Sequence, residues 1–172
     1  MGSYSNPDGS TIKGLILHWD GTRWLQSPSP NPGNFTQLTG VLAVSQNDAW
    51  AVGQYSSASG NQTLILHWDG ASWTQTPSPN PADDDRLDGV AASSAGSAVA
   101  VGTGQAHVRG ALPTTLALRW NGIAWTQAPS IQEGGPGIAN TLLGVATISS
   151  TEAWAVGFFG PTPLHALAFH FK

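Results

Sequence analysis

The chain has 172 residues, 40% of them hydrophobic and 9% charged, with a formal net charge of -4 and no cysteine. Six scattered Lys and Arg make no basic stripe, which argues against a nucleic-acid partner. The lack of Cys excludes a disulfide framework, a thiolate zinc site and a Cys nucleophile, and no window has the apolar length of a membrane span.

Taken from its start, the chain shows no signal peptide, because Met1-Gly2-Ser3-Tyr4 lacks a basic start and an apolar run. Gly2-Ser3-Tyr4-Ser5 aligns instead with Gly53-Gln54-Tyr55-Ser56, so the first residues are expected to lie inside a strand. Next comes Leu15-Ile16-Leu17-His18-Trp19-Asp20-Gly21, followed by Trp24, Gln26 and Pro28-Ser29-Pro30-Asn31-Pro32. The same pattern recurs from Leu64 to Pro81 at an offset of 49, and a worn copy runs from Leu116 to Pro129. Asp20-Gly21, Asp69-Gly70 and Asn121-Gly122 are dipeptides suited to a two-residue type I′ loop, which predicts a hairpin. That turn would set Trp19 opposite Thr22, Leu17 opposite Trp24 and His18 opposite Arg23. The two Trp would then lie diagonally on one face.

Between these copies sits a second unit. Leu38-Thr39-Gly40-Val41-Leu42-Ala43-Val44-Ser45 and Ala49-Trp50-Ala51-Val52-Gly53 are two short apolar runs split by a polar turn, again a hairpin. It returns over 87–102 and 142–157. Near-continuous small apolar residues imply strands covered on both faces. One period thus holds four strands, expected at Leu38–Ser45, Ala49–Gly53, Thr63–Trp68 and Ser72–Thr76, and the proline-rich segment closes it. Four-stranded antiparallel units at a period near 50 residues are the blades of a β-propeller. A β-sandwich, the competing arrangement, predicts no such period. The expected fold is therefore all-β, a single β-propeller segment over 1–172 with about three blades. The periods fall near 2–52, 53–101 and 102–156, and a surplus strand occupies 157–172.

The strand ending in Val-Gly and the hairpin ending in Trp before a proline resemble the kelch-like propellers of bacterial surface proteins. The resemblance spans essentially the whole chain. Val52-Gly53, Val101-Gly102 and Val156-Gly157 stand where kelch repeats have two glycines, and the turn at Asp20-Gly21 is shorter than theirs. The resemblance implies an extracellular or cell-surface location. Three blades do not close a ring. The expectation is either a fragment of a longer propeller or, preferred, a homodimer that completes the ring. The surplus strand His165–Phe171 would then compete with Leu15–Trp19 or add an extra strand.

Candidate site residues are few. His18, His67, Arg119 and His170 share one position in successive copies and are expected on a strand face, too far apart to converge on an ion. Asp83, Asp84 and Asp85, with Asp88 nearby, form the one dense charge cluster. Their spacing lacks the alternation of a calcium loop, so a solvated connection is expected there. With His107, Arg109 and the 158–163 segment, these residues are expected on the loop face where propellers bind ligands. The Trp residues read as core between blades. Asn34-Phe35-Thr36 and Asn61-Gln62-Thr63 match the glycosylation acceptor pattern. No nucleophile elbow, phosphate loop or zinc-protease motif occurs, and no cofactor or metal is expected. The reading is a non-catalytic binding or scaffolding module for a protein or glycan ligand and for itself. The alternatives are a glycan-processing enzyme with its site at the mouth of the ring, or a purely structural, recently amplified repeat.

Overall fold

The computed structural model describes residues 1–129 and 131–172, and every regular element among them is a strand. β1 (Gly2–Ser5), β2 (Ile12–Trp19) and β3 (Trp24–Ser27) form a first antiparallel sheet. β4 (Thr36–Ser45), β5 (Asp48–Ser57), β6 (Gly60–Trp68) and β7 (Trp73–Gln75) form the second. β8 (Asp84–Ser94), β9 (Ser97–Gln105), β10 (Thr114–Trp120) and β11 (Trp125–Gln127) form the third. β12 (Asn140–Thr147), β13 (Ala153–Phe159) and β14 (His165–Phe171) form the fourth. Strand order within each sheet follows chain order, so the sequence repeat is a repeat of three- and four-stranded sheets. The surplus strand is β14, which pairs with β13 along its whole length, from Ala153↔Phe171 to Phe159↔His165.

The sheets pack face to face in sequence order, and the two-residue alternation of a strand decides which side chain meets which neighbour. Ala51 joins Ile16, Leu38, Leu64 and Leu66 between the first and second sheets. Trp50 and Val52, one residue to either side, join Leu87, Leu116, Leu118 and Trp125 between the second and third. Val99, Val101 and Ala117 meet Leu142, Ala155 and Leu167 between the third and fourth. Each fully buried Leu among them contributes on the order of 1.5–3 kcal/mol.

Small residues let the first strands of neighbouring sheets approach closely. β4, β8 and β12 each carry a bulge, at Leu38/Gly40, Leu87/Gly89 and Leu142/Gly144. A Cβ on Gly40 would lie 3.3 Å from the Gly89 Cα, and one on Gly89 3.3 Å from the Gly144 Cα. The glycine of each Val-Gly pair lies against the same bulge. A Cβ on Gly53, Gly102 or Gly157 would stand 1.9, 2.0 or 1.9 Å from a carbonyl oxygen of the partner strand.

The Asp-Gly hairpins differ from expectation in register. Trp19 pairs with Trp24, Trp68 with Trp73 and Trp120 with Trp125, and His18 faces Leu25. The loop is four residues long because the Asp20 Oδ1 accepts the N–H groups of Thr22 (2.8 Å) and Arg23 (2.9 Å), and Asp69 and Asn121 do the same. A type I′ turn needs positive φ at both central residues. Here only the glycine has it, at +100° in Gly21. The two Trp therefore stand directly opposite each other, with ring centroids 5.6–5.8 Å apart in the three copies.

Candidate functional site

The start of β8 carries the acidic cluster. Its equivalents at the starts of β4 and β12 are Thr36 and Asn140, and all three side chains at this position are buried. Each one ties down the connection that precedes its strand. The Thr36 hydroxyl donates to the Pro32 carbonyl at 2.7 Å. The Asn140 Oδ1 accepts from the Glu133 N–H at 2.9 Å, and the Asp85 Oδ2 accepts from the Ala82 N–H at 2.9 Å. Asp85 is thus 1% exposed, within a strand, rather than in the solvated connection expected for the cluster. Burial pushes its carboxyl above the usual carboxylate range, and the charges of Asp84 and Asp83 act in the same direction.

The other two acids have partners. The Asp84 Oδ1 accepts from the Asn61 N–H at 2.7 Å, which bridges the second and third sheets. Its Oδ2 lies 2.5 Å from the His107 Nε2, and the Asp83 Oδ2 accepts from the His107 N–H at 2.6 Å. The hydrogen bond from Asn61 holds the Asp84 carboxyl below its usual range. The hydrogen bond to Asp84 raises His107 above the usual histidine value. His107 therefore does join the acids across the 106–113 connection. Arg109 is exposed on the same connection. The Arg86 Nε is 3.2 Å from the Asp88 Oδ2, and Asp88 sits in the bulge. Of the 158–163 segment, Phe158 and Phe159 belong to β13.

A cleft of about 290 Å³ opens beside Asp85, where the second, third and fourth sheets meet. Gln54 and Asn61 line it from the second sheet, Asp85, Thr103 and Gln105 from the third, and Thr141 from the fourth. Two of its buried side-chain oxygens, Asp85 Oδ1 and Thr103 Oγ1, have no hydrogen-bond partner among the described residues. Sequence reasoning missed Gln54, Thr103 and Thr141, and read Asn61 only as part of a glycosylation acceptor pattern. The available signal was a polar residue two places before the first Leu of each unit (Thr36, Asp85 and Asn140), an unusual choice at the start of an apolar strand.

The shared His position is structural. The His67 Nε2 is 2.8 Å from the Asp48 Oδ1, and the His170 Nε2 is 2.8 Å from the Glu152 Oε1. Arg119 donates to the Ser150 carbonyl of the fourth sheet at 2.9 Å, and His18 is exposed. Among the described residues, no three or more His, Cys, Asp or Glu side chains are grouped to hold a metal ion. No helix there is long and apolar enough to cross a membrane.

The chain is an all-β repeat protein of three- and four-stranded antiparallel sheets, rich in tryptophan at their junctions. No family model matches it, and no curated protein is similar to it.

Proposed function

We propose that this chain is a non-catalytic binding and scaffolding module of β-propeller type, in which each sheet serves as a blade and a second copy completes the ring. One observation carries the reading. The two end faces of the stack are copies of the two halves of an internal junction. Between the second and third sheets, Trp50 is covered by Trp120 and Trp125, with centroids 5.1 and 5.3 Å away. On the open face of the fourth sheet the equivalent Trp154 is 44% exposed, and Val156 is exposed beside it. On the open face of the first sheet, Trp19 and Trp24, the equivalents of Trp120 and Trp125, are 47% and 64% exposed. The faces are complementary rather than identical, so they fit head to tail. Apolar patches of this kind mark association surfaces.

In this reading the sequence periods 2–52, 53–101 and 102–156 each run from the second-strand position of one sheet, held by β1 in the first, into that of the next, and 157–172 supplies the third strand of the fourth sheet. The ligand, a glycan or a protein, is bound on the loop face that carries Asp83, Asp84, Asp85, His107 and Arg109. The kelch-like resemblance supports a place at or outside the cell surface.

Light scattering coupled to size exclusion, over a dilution series, tests ring closure. A discrete dimer that persists on dilution is expected, with Trp24→Ala or Trp154→Ala shifting it to a folded monomer. A monomer at every concentration, or a mass that climbs without limit, overturns it.

A further inference from the structure

We infer that the half-open junction between the first and second sheets docks an extended peptide of another protein, one with a carboxylate two residues before a tryptophan. This goes beyond the binding-module reading above, and the site lies at the opposite end of the strands from Asp83, Asp84 and Asp85. The argument begins with a set of three side chains. In the second sheet His67 lies opposite Trp50, with ring centroids 4.2 Å apart, and its Nε2 is 2.8 Å from the Asp48 Oδ1. In the fourth sheet His170 stacks on Trp154 at 4.3 Å, and its Nε2 is 2.8 Å from the Glu152 Oε1. The third sheet has Arg119 in place of the His, and there Val99 stands for the Trp and Ser97 for the acid. His, Trp and acid thus come and go together. The first sheet carries the His alone. His18 is exposed, and among the described residues its ring has no hydrogen-bond, ion-pair or stacking partner. A carboxylate and an aromatic ring are the complement its two counterparts already have.

The backbone is open at the same place. β1 pairs with β2 only from Ile12 to Leu15, so the edge of β2 from Ile16 to Trp19 has no strand on that side. The equivalent edges are covered by Ala49–Val52 in the second sheet and by Ala153–Val156 in the fourth. A free edge takes an added strand through main-chain hydrogen bonds, and neighbouring pockets read its side chains. Here the pocket is already shaped. Trp68 and Trp73 have ring centroids 5.7 Å apart at 44°, against 5.8 Å and 41° for Trp120 and Trp125. Trp50 sits on the second of these pairs, at 5.1 and 5.3 Å. The first pair instead lines a cavity of about 390 Å³ with Ile16, His18, Val41 and Ala43, a volume within the range of ligand sites. Val41 is 54% exposed, whereas its counterpart Val90 packs into the core. A tryptophan seated there would set a carboxylate two residues earlier on the same face of its strand, beside His18. The chain's own strands of this pattern, β5 and β13, are each paired on both sides within their sheets, so a second copy has none free to lend.

The test is an NMR titration of the isotope-labelled chain with a capped synthetic peptide of residues 46–53, which has the required pattern. Saturable shifts at His18, Val41 and the Trp68 and Trp73 indoles are expected. Trp50→Ala in the peptide should weaken binding by about thirtyfold or more, as for an aromatic anchor. Asp48→Asn in the peptide should weaken it about fivefold, as for a partly exposed ion pair. In the chain, His18→Ala and Val41→Lys should each weaken it about tenfold. Both side chains are exposed, so both variants are expected to keep the native spectrum. The proposal is overturned by no saturable shift, by shifts confined to the open face around Trp154, or by shifts that all four variants leave unchanged. Shifts at the same residues on concentrating the chain without peptide, in step with a doubling of mass, put a second copy in the cavity and overturn it too. Ring closure alone would shift Trp19 and Trp24 instead, because alternation along the strand sets Trp19 on the opposite face from His18.

Discussion

Gly102 has the Arg86 carbonyl oxygen 2.0 Å from where its Cβ would be, and that oxygen belongs to backbone that cannot swing away. Gly102→Ala is expected to destabilise the chain by about 1–3 kcal/mol or more, because β8 would have to leave its bulge. Urea unfolding measures this, and a change under about 0.5 kcal/mol, the range of neutral surface substitutions, would show that the bulge is soft. The His107–Asp84 pair makes a second residue-scale prediction. His107 titrates above 6.5, so its share of stability is complete below 6.5 and lost as pH rises through the shifted value. Asp84 titrates below 3.8, so its share is present above 3.8 and lost as pH falls through its own lowered value. Asp84→Asn should return the His107 midpoint toward 6.5, read from its ring protons by NMR. Asp85 has the opposite sign to Asp84. Its carboxyl is raised by burial, so the native state loses stability as pH climbs from 3.8 through the raised value. Asp85→Asn should therefore gain in stability relative to wild type at pH 7 and lose that gain below pH 3.8. Urea midpoints compared at the two pH values check it.

At the scale of the element, the proline-rich segments are clipped to their sheets by asparagine. The Asn31 Oδ1 accepts the Gly14 N–H, the Asn80 Oδ1 accepts the Thr63 N–H, each at 2.6 Å, and each Nδ2 donates to a carbonyl two residues earlier. Proline cannot supply N–H groups of its own, so the segment between sheets depends on this side chain for its attachment. Asn80→Ala should cost about 1–3 kcal/mol, because the Thr63 N–H on half-buried β6 is left unpaired. Thermal unfolding would read the loss, and an unchanged midpoint would mean that the prolines alone hold the connection. The hairpins show the same dependence on a polar side chain. Asp20, whose carboxyl is lowered to about 2 chiefly by the Thr22 hydroxyl, wraps its turn and sets the strand register two residues from that of a two-residue loop.

Across the whole molecule, equivalent tryptophans have unequal weight because of their place in the stack. Trp50 is 1% exposed between two sheets, whereas Trp154, in the same register, stands open on the fourth. Trp50→Ala should cost about 3–5 kcal/mol, the range for emptying a large core site, and couple to Trp125 in a double-mutant cycle. Trp154→Ala should cost the single chain much less. Equal losses in urea unfolding would mean that the open face is already covered in solution.

Much of this was legible in the sequence. The period, the four-strand unit and the Val-Gly glycines follow from local spacing, since turns and strands depend on residues close along the chain. A shared loop face for Asp83–Asp85 and His107 was legible only through the propeller analogy. The register of the Asp-Gly hairpins was not, because the side-chain bonds that lengthen the turn compete with the dipeptide's own preference by small margins. Nor was the burial of Asp85. Its carboxyl lies against Gly104 of the neighbouring strand β9, a contact that no local pattern announces. Which tryptophans are core and which are open faces likewise depends on the neighbouring sheet, because identical repeats carry identical side chains and only their order in the stack distinguishes them. The sequence by itself determined the repeating strand pattern; the tertiary structure alone decided where buried polar groups converge, because that convergence is made by contacts between sheets and not by any one repeat.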